Sequence, residues 1–177
     1  MWDISSARSL TSVDISTCLN ENASLVSLDP GMVNQFRRKS ELQASINCLD
    51  VDQSSNWMTC CGTFHDKSRK SFGFVCMFHV LTVTLTSATI IREQPKCIRF
   101  HEGFNRIITS ANNGAVTFWN KSNLHRESST CTSMESSNCI ALNEFSQHFA
   151  VSGSSCNLDC FAQMGNLSFT ISLDVVD

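Results

Sequence analysis

Residues 106–120 read RIITSANNGAVTFWN, and residues 148–162 read HFAVSGSSCNLDCFA. Each begins as an apolar strand ending in small residues, passes through a short polar turn, and closes with an alternating strand that finishes on a large aromatic. A looser copy occupies 57–79, where WMTCCG is followed by an inserted loop and then FGFVCMFH. The closing aromatics Phe78, Trp119 and Phe161 stand 41 and 42 residues apart. Met1-Trp2-Asp3-Ile4 reads as the tail of one more copy, with Trp2 in the aromatic position. Self-similarity at a fixed period of this length marks supersecondary units that bury their faces against one another.

A period near 40 with aromatic-terminated strands predicts an all-β fold, a β-propeller of the WD40 type. Residues 1–15 read as the end of a truncated blade, with Ser9–Ile15 (SLTSVDI) as its outer strand. Residues 16–44 read as a long connecting loop, with a short strand expected within 25–35 and a turn at Asp29-Pro30-Gly31, where Pro presets φ and Gly permits positive φ. Three WD40-like blades are expected over 45–173, at 45–91, 96–134 and 138–173, and 174–177 form a tail. Their expected strands are Ile46–Val51, Trp57–Cys61, Phe72–Val80 and Thr82–Ile91, then Lys96–Phe100, Arg106–Ser110, Ala115–Trp119 and Ser128–Met134, then Asn138–Leu142, His148–Ser152, Asn157–Phe161 and Leu167–Leu173. His65 to Lys70 reads as a solvated insertion, and Pro30 and Pro95 both fall between the predicted strands.

Propellers close with about 4–8 blades. Three are too few, so the expected fold is an incomplete propeller, like the C-terminal half of a larger one. Its first sheet is expected to expose a blade face and strand edges, which promotes association. The aromatics have a plain physical role as blade-core wedges: one face of the third strand points at the neighbouring blade, and burying such a ring contributes roughly 2–3 kcal/mol. The WD40 signature itself is degenerate here. Trp-Asp occurs only at Trp2-Asp3; the other copies read Phe78-His79, Trp119-Asn120 and Phe161-Ala162.

Composition narrows the function. Of 177 residues 42% are apolar and 16% charged, which suits a globular core and argues against general disorder. A net charge of −3 argues against nucleic-acid binding by the molecule as a whole. No run of 18 apolar residues exists to span a bilayer, and Phe72–Thr86 is interrupted by Gly73, His79, Thr82 and Thr84. The ten cysteines form no C-x-x-C pair, and Met1–Ile4 lacks the features of a signal peptide. Reduced, structural thiols in a reducing compartment are therefore expected, with the N-x-S sequons at Asn22, Asn120 and Asn166 chance matches.

No catalytic, cofactor-binding or metal residue emerges. His65, His79, His101, His125 and His148 stand in no nucleophile–carboxylate motif, and G-x-S-x-G, P-loop, H-E-x-x-H and G-x-G-x-x-G are absent. The innermost strands INCLDV, KCIRF and NCIAL offer only Asp50, Lys96 and Arg99 for a central-channel site. The basic clusters are Arg37-Arg38-Lys39 and Lys67-Ser68-Arg69-Lys70. Arg37, Arg38, Lys39, Lys67, Arg69 and Lys70 are candidates for a weak RNA or partner contact, but no interleaved aromatics supply the stacking platform that RNA recognition favours. They read more simply as solvated loops.

Beyond this grammar, INCLDVDQSSNWMTCCG (46–62), MFHVLTVTLTSATII (77–91), CIRFHEGFNRIITSANNG (97–114) and GSSCNLDCFAQMGNLSFTISL (153–173) resemble, in order, the C-terminal half of the THO complex subunit 6 family. The closing stretch carries the resemblance most specifically. It implies a seven-bladed WD40 propeller in the nuclear THO/TREX assembly, a scaffold subunit without catalytic role or cofactor that supports mRNA processing and export. The partners implied are other THO/TREX subunits, with RNA contact indirect or weak, and no membrane or small-molecule substrate is expected. Read without the resemblance, the residues also fit a WD40 adaptor of a ubiquitin ligase or vesicle coat, and less well a propeller enzyme.

Overall fold

Four consecutive antiparallel strands form the body of each of the three large sheets of this chain. The computed structural model describes residues 2–3, 8–9, 13–29, 43–65, 70–143, 148–162 and 166–172. Strands β1 (Trp2–Asp3) and β2 (Arg8–Ser9) form a small antiparallel pair. Helix α1 (Ile15–Glu21), a 3-10 turn (Ala23–Leu25) and β3 (Val26–Leu28) follow. The first large sheet holds β4 (Gln43–Val51), β5 (Trp57–His65), β6 (Ser71–His79) and β7 (Thr84–Ile91), paired antiparallel in sequence order. The second holds β8 (Pro95–His101), β9 (Arg106–Ala111), β10 (Ala115–Asn120) and β11 (Arg126–Cys131). The third holds β12 (Ser137–Asn143), β13 (His148–Gly153), β14 (Asn157–Ala162) and β15 (Asn166–Ser172).

The sheets are blades stacked face to face, with β4, β8 and β12 adjacent along the inner rim. Between the first and second blades Cys61, Val75, Met77 and Ile91 meet Ile98, Phe100, Ile107, Trp119 and Leu124. Between the second and third, Cys97, Ile108, Val116, Phe118 and Met134 meet Ile140, Phe149, Val151 and Phe161. Trp119 and Phe161 are both fully buried. Because the first and second blades are covered on both faces, their middle strands are apolar at successive positions and not only at alternate ones. That is why β6 and β10 are buried almost end to end. The turn between β9 and β10 needs Gly114, whose φ is +73° and where a Cβ would lie 2.1 Å from the Met134 carbonyl oxygen.

Several expectations are corrected. Ser9–Ile15 is not one outer strand: Arg8–Ser9 pairs with β1, residues 10–12 lie outside the described residues, and Ile15 begins a helix. Asp14 caps it, accepting from the Ser16 N–H at 3.1 Å and the Thr17 hydroxyl at 2.6 Å, and the Thr17 bond leads in holding its carboxyl below the ordinary value. Ile15 and Leu19 then form an i, i+4 apolar stripe, which outweighs the alternation that suggested a strand. The first part of the expected long loop is therefore folded, and β3 adds to β7 in parallel as a fifth strand. Pro95 opens β8 instead of preceding it, at a first strand position where its missing N–H costs nothing. Residues 63–65 and 71, taken as insertion, lengthen the β5–β6 hairpin, and Phe64 is fully buried. Met134 lies beyond β11 in a bend, still buried.

The first blade's outer face is also less exposed than expected. Ile15 and Leu19 pack with Phe64, Phe72, Phe74, Phe78 and Leu85, so a helix covers most of the face that a preceding blade would cover. Among the described residues its inner strip stays open, with Leu49 54% and Val51 44% exposed. Leu19→Ala is expected to cost about 2 kcal/mol, the low end for a buried leucine because the helix is packed on one side only. Urea unfolding measures it; no change would show that α1 does not hold the face closed.

Candidate interaction surface

The sequence-predicted residues fall into separate places. Phe78 is buried against α1, Trp119 between the first two blades and Phe161 between the last two. Trp2 lies in β1, and only its backbone is described. Arg37, Arg38, Lys39, Lys67 and Arg69 lie outside the described residues; Lys70 is exposed just before β6. The structure brings none of these basic residues together into a described patch.

Of Asp50, Lys96 and Arg99, Asp50 joins the first blade to the second. Asp50 Oδ2 accepts the Phe100 N–H at 2.8 Å, and Asn47 Nδ2 donates to the Pro95 carbonyl at 2.7 Å. Arg99 Nη1 donates to the Ile98 carbonyl at 2.9 Å. Near the turn, Lys121 Nζ pairs with Asp52 at 3.2 Å and Glu102 at 3.0 Å and lies 5.0 Å from the Phe100 ring centroid. Burial works to raise the Asp52 pKa, but hydrogen bonds from Ser54, the Trp57 N–H and Lys121 outweigh it and hold the carboxyl below its usual value. Among the described residues no group of three or more His, Cys, Asp or Glu side chains could hold a metal ion.

A second charged knot fastens the N-terminal segment. Arg126 Nη2 lies 2.9 Å from Glu93 and 3.2 Å from Asp29, with its guanidinium carbon 5.4 Å from the Trp119 ring centroid. The two carboxylates share this cation unequally. At Glu93 burial raises the pKa, yet the hydrogen bond from Arg126, first among the interactions opposing it, brings it below normal. At Asp29, which makes the longer pairing, burial wins and the pKa is raised.

The surface with most to offer a partner is the outer face of the third blade. The β12–β15 register aligns Ala141, Ala150, Cys160 and Phe169 in one row and Cys139, Ser152, Leu158 and Ile171 in the next. Phe169 is 55% and Ile171 41% exposed. A cavity of about 330 Å³ opens there, lined by Leu142, Phe149, Ala150, Cys160 and Phe169 among others. In the preceding blades the third-strand residues pointing the same way, Met77 and Phe118, are covered by the next blade. Sequence reading missed this face because Phe169 and Ile171 look like ordinary strand residues. The signal was their alignment opposite Cys160 and Leu158.

Comparison with known proteins agrees with the geometry. No family model and no curated protein matches the chain. Raptor from Chaetomium thermophilum, as a crystal structure, is similar in fold, with a TM-score of 0.61 at 15% identity, over 74% of this chain and 12% of that one. The fold is an incomplete WD40-type β-propeller. At that identity the likeness concerns the fold alone, and this chain spans about an eighth of the neighbour's length.

An open apolar face predicts association. Phe169→Ser with Ile171→Ser is expected to shift the chain toward monomer without lowering stability by more than about 0.5 kcal/mol, as for exposed sites. Light scattering after size-exclusion chromatography reads this out, and an unchanged distribution would place the sticky surface elsewhere.

Proposed function

We propose that this chain is a non-catalytic β-propeller scaffold subunit of the nuclear THO/TREX complex, supporting mRNA processing and nuclear mRNA export through protein–protein contacts. The observation that carries the scaffold reading is the third blade's exposed apolar face at Phe169 and Ile171. That face lies within GSSCNLDCFAQMGNLSFTISL (153–173), the stretch with the most specific resemblance to the THO complex subunit 6 family. The polar residues of the inner rim support the same reading, since Asp50, Asp52 and Lys121 are used to bind blade to blade. A stiff perimeter holds partners in one geometry, and its contribution is position and not chemistry.

RNA contact is indirect or weak in this reading, given the net charge of −3. Affinity purification from nuclear extract with mass spectrometry tests the assignment: THO/TREX subunits are the expected co-purifying set. Recovery of ubiquitin-ligase or vesicle-coat subunits instead would favour a WD40 adaptor of another assembly. In an RNA-binding assay across a salt series, submicromolar binding at physiological salt would count against the reading. Loss of that binding on joint neutralisation of Arg37, Arg38 and Lys39 would assign it to the 37–39 cluster.

A further inference from the structure

Three cysteines recur at one place in successive blades: Cys48 in β4, Cys97 in β8 and Cys139 in β12. Each directly follows an irregularity in the ladder to the next strand and directly precedes an aliphatic residue, Leu49, Ile98 or Ile140. The recurrence sets Cys48 and Cys97 between blades, while Cys139 is exposed on the outer face of the third. Cys48 Sγ lies 3.9 Å from Cys97 Sγ and 3.8 Å from the Ile98 carbonyl oxygen. Arg99 Nη1 stands 3.5 Å from the same Cys48 sulfur. Both thiols are free; Cys48 is half-buried and Cys97 is buried.

We propose that Cys48 and Cys97 form a peroxide-sensitive dithiol, whose oxidation to a disulfide staples the first blade to the second. The sulfurs must close from 3.9 Å to a bond of about 2.05 Å. They sit on adjacent inner strands of different blades. The oxidant must reach the attacking sulfur, and Cys48 is the more accessible of the two, with Arg99 Nη1 3.5 Å from it. Cys97 is the poorer first nucleophile: burial, with the neighbouring Cys48 adding to it, pushes its thiol up to about 11. Oxidation therefore starts at Cys48 and is resolved by Cys97.

The chemistry balances with hydrogen peroxide as oxidant. The Cys48 thiolate attacks one peroxide oxygen; an S–O bond forms, the O–O bond breaks, and the departing hydroxide takes a proton and leaves as water. Cys48 is now a sulfenic acid. The Cys97 sulfur attacks it, an S–S bond forms, the S–O bond breaks, and hydroxide leaves with the Cys97 proton as a second water. Two thiols give up two electrons in all, and one peroxide is reduced to two waters. Drawing the Cys48 sulfur toward Cys97 also takes from Arg99 Nη1 the longer of its two contacts, leaving the bond to the Ile98 carbonyl, beside a polar cleft of about 360 Å³ bordered by Asp50, Gln53 and Glu102. Cys60 and Cys76 also neighbour one another, but both are buried within the first blade, where a bond between them would join no two blades.

The test is peptide mapping of the reduced chain after exposure to hydrogen peroxide, with free thiols alkylated and no reductant added. The expected product is a cross-linked pair joining Cys48 to Cys97, two hydrogens lighter and reversed by dithiothreitol. Cys97→Ala should leave a sulfenic acid at Cys48 that dimedone captures. If Cys97→Ala fails to fold by circular dichroism, the wild-type map decides alone. Recovery of Cys48 and Cys97 both alkylated, once Cys131, Cys139 and Cys156 are already oxidised, would overturn the proposal.

Discussion

Replacing Trp119 with alanine is expected to lower the free energy of unfolding by about 3–5 kcal/mol, the range for removing a well-packed aromatic. The ring is fully buried where two blades meet, with Cys61, Val75, Met77 and Ile91 from one side and Ile98, Phe100 and Ile107 from the other. Because the surrounding atoms belong to two paired sheets, they cannot collapse into the space without breaking ladder register. The loss is polar too. Trp119 Nε1 donates to Thr109 Oγ1 at 2.9 Å, and the truncation leaves that buried hydroxyl without its donor. It also uncovers the face on which Arg126 rests, whose Nε is already buried without a partner. Cys131→Ser is the control: the side chain is exposed at the end of β11, so its change should stay within about 0.5 kcal/mol. Urea unfolding of both variants decides the point, and equally small effects would show that Trp119 is no wedge.

The blades were legible in the sequence and their ends were not, for one physical reason. A blade is a repeated unit, so its aromatics, turns and alternation are stated three times and errors at one copy are corrected by the others. Trp119 and Phe161 could be placed by spacing alone, and Asn112-Asn113-Gly114 by turn chemistry. The N-terminal cap is stated once. Ile15 and Leu19 make only a two-residue stripe in a seven-residue helix, and SLTSVDI alternates well enough to pass for a strand. What distinguished the two was the Asp14 cap, a weak signal beside apolar alternation. The candidate surface failed to show for the opposite reason. Phe169 and Ile171 are written as repeat residues and become exposed only because no described blade follows. The Cys48, Cys97 and Cys139 recurrence was visible in INCLDV, KCIRF and NCIAL, but its meaning depends on inter-blade distances that no spacing encodes.

Asp159 provides the second large effect, and its pH dependence has a definite sign. The carboxylate is fully buried in β14 and reaches across the seam to the turn after β11. Oδ2 accepts the Ser133 N–H at 2.5 Å, while Oδ1 accepts the Ser133 hydroxyl at 2.8 Å and the Thr170 hydroxyl at 2.7 Å. Burial alone would raise its pKa, but these donors, led by the Ser133 N–H, outweigh it and lower the value in the folded state. Asp159→Ala removes a buried carboxylate that pairs three donors; Ser133 and Thr170 are exposed, so water takes up the freed donors, and the expected loss is about 3 kcal/mol, the upper figure for a hydrogen bond to a charged group. A lowered folded pKa means the unfolded chain takes up the proton first. The contribution is therefore complete above the unfolded value of about 3.9 and is lost as pH falls through the folded one. Asp159→Asn keeps the shape without the titration. Its deficit relative to wild type should be constant from neutral pH down to about pH 4 and shrink below it, as the wild type surrenders the same bonds. Thermal unfolding of the two proteins across that range measures the difference, and curves that stay parallel into acid would mean that Asp159 is not the group that joins the blades.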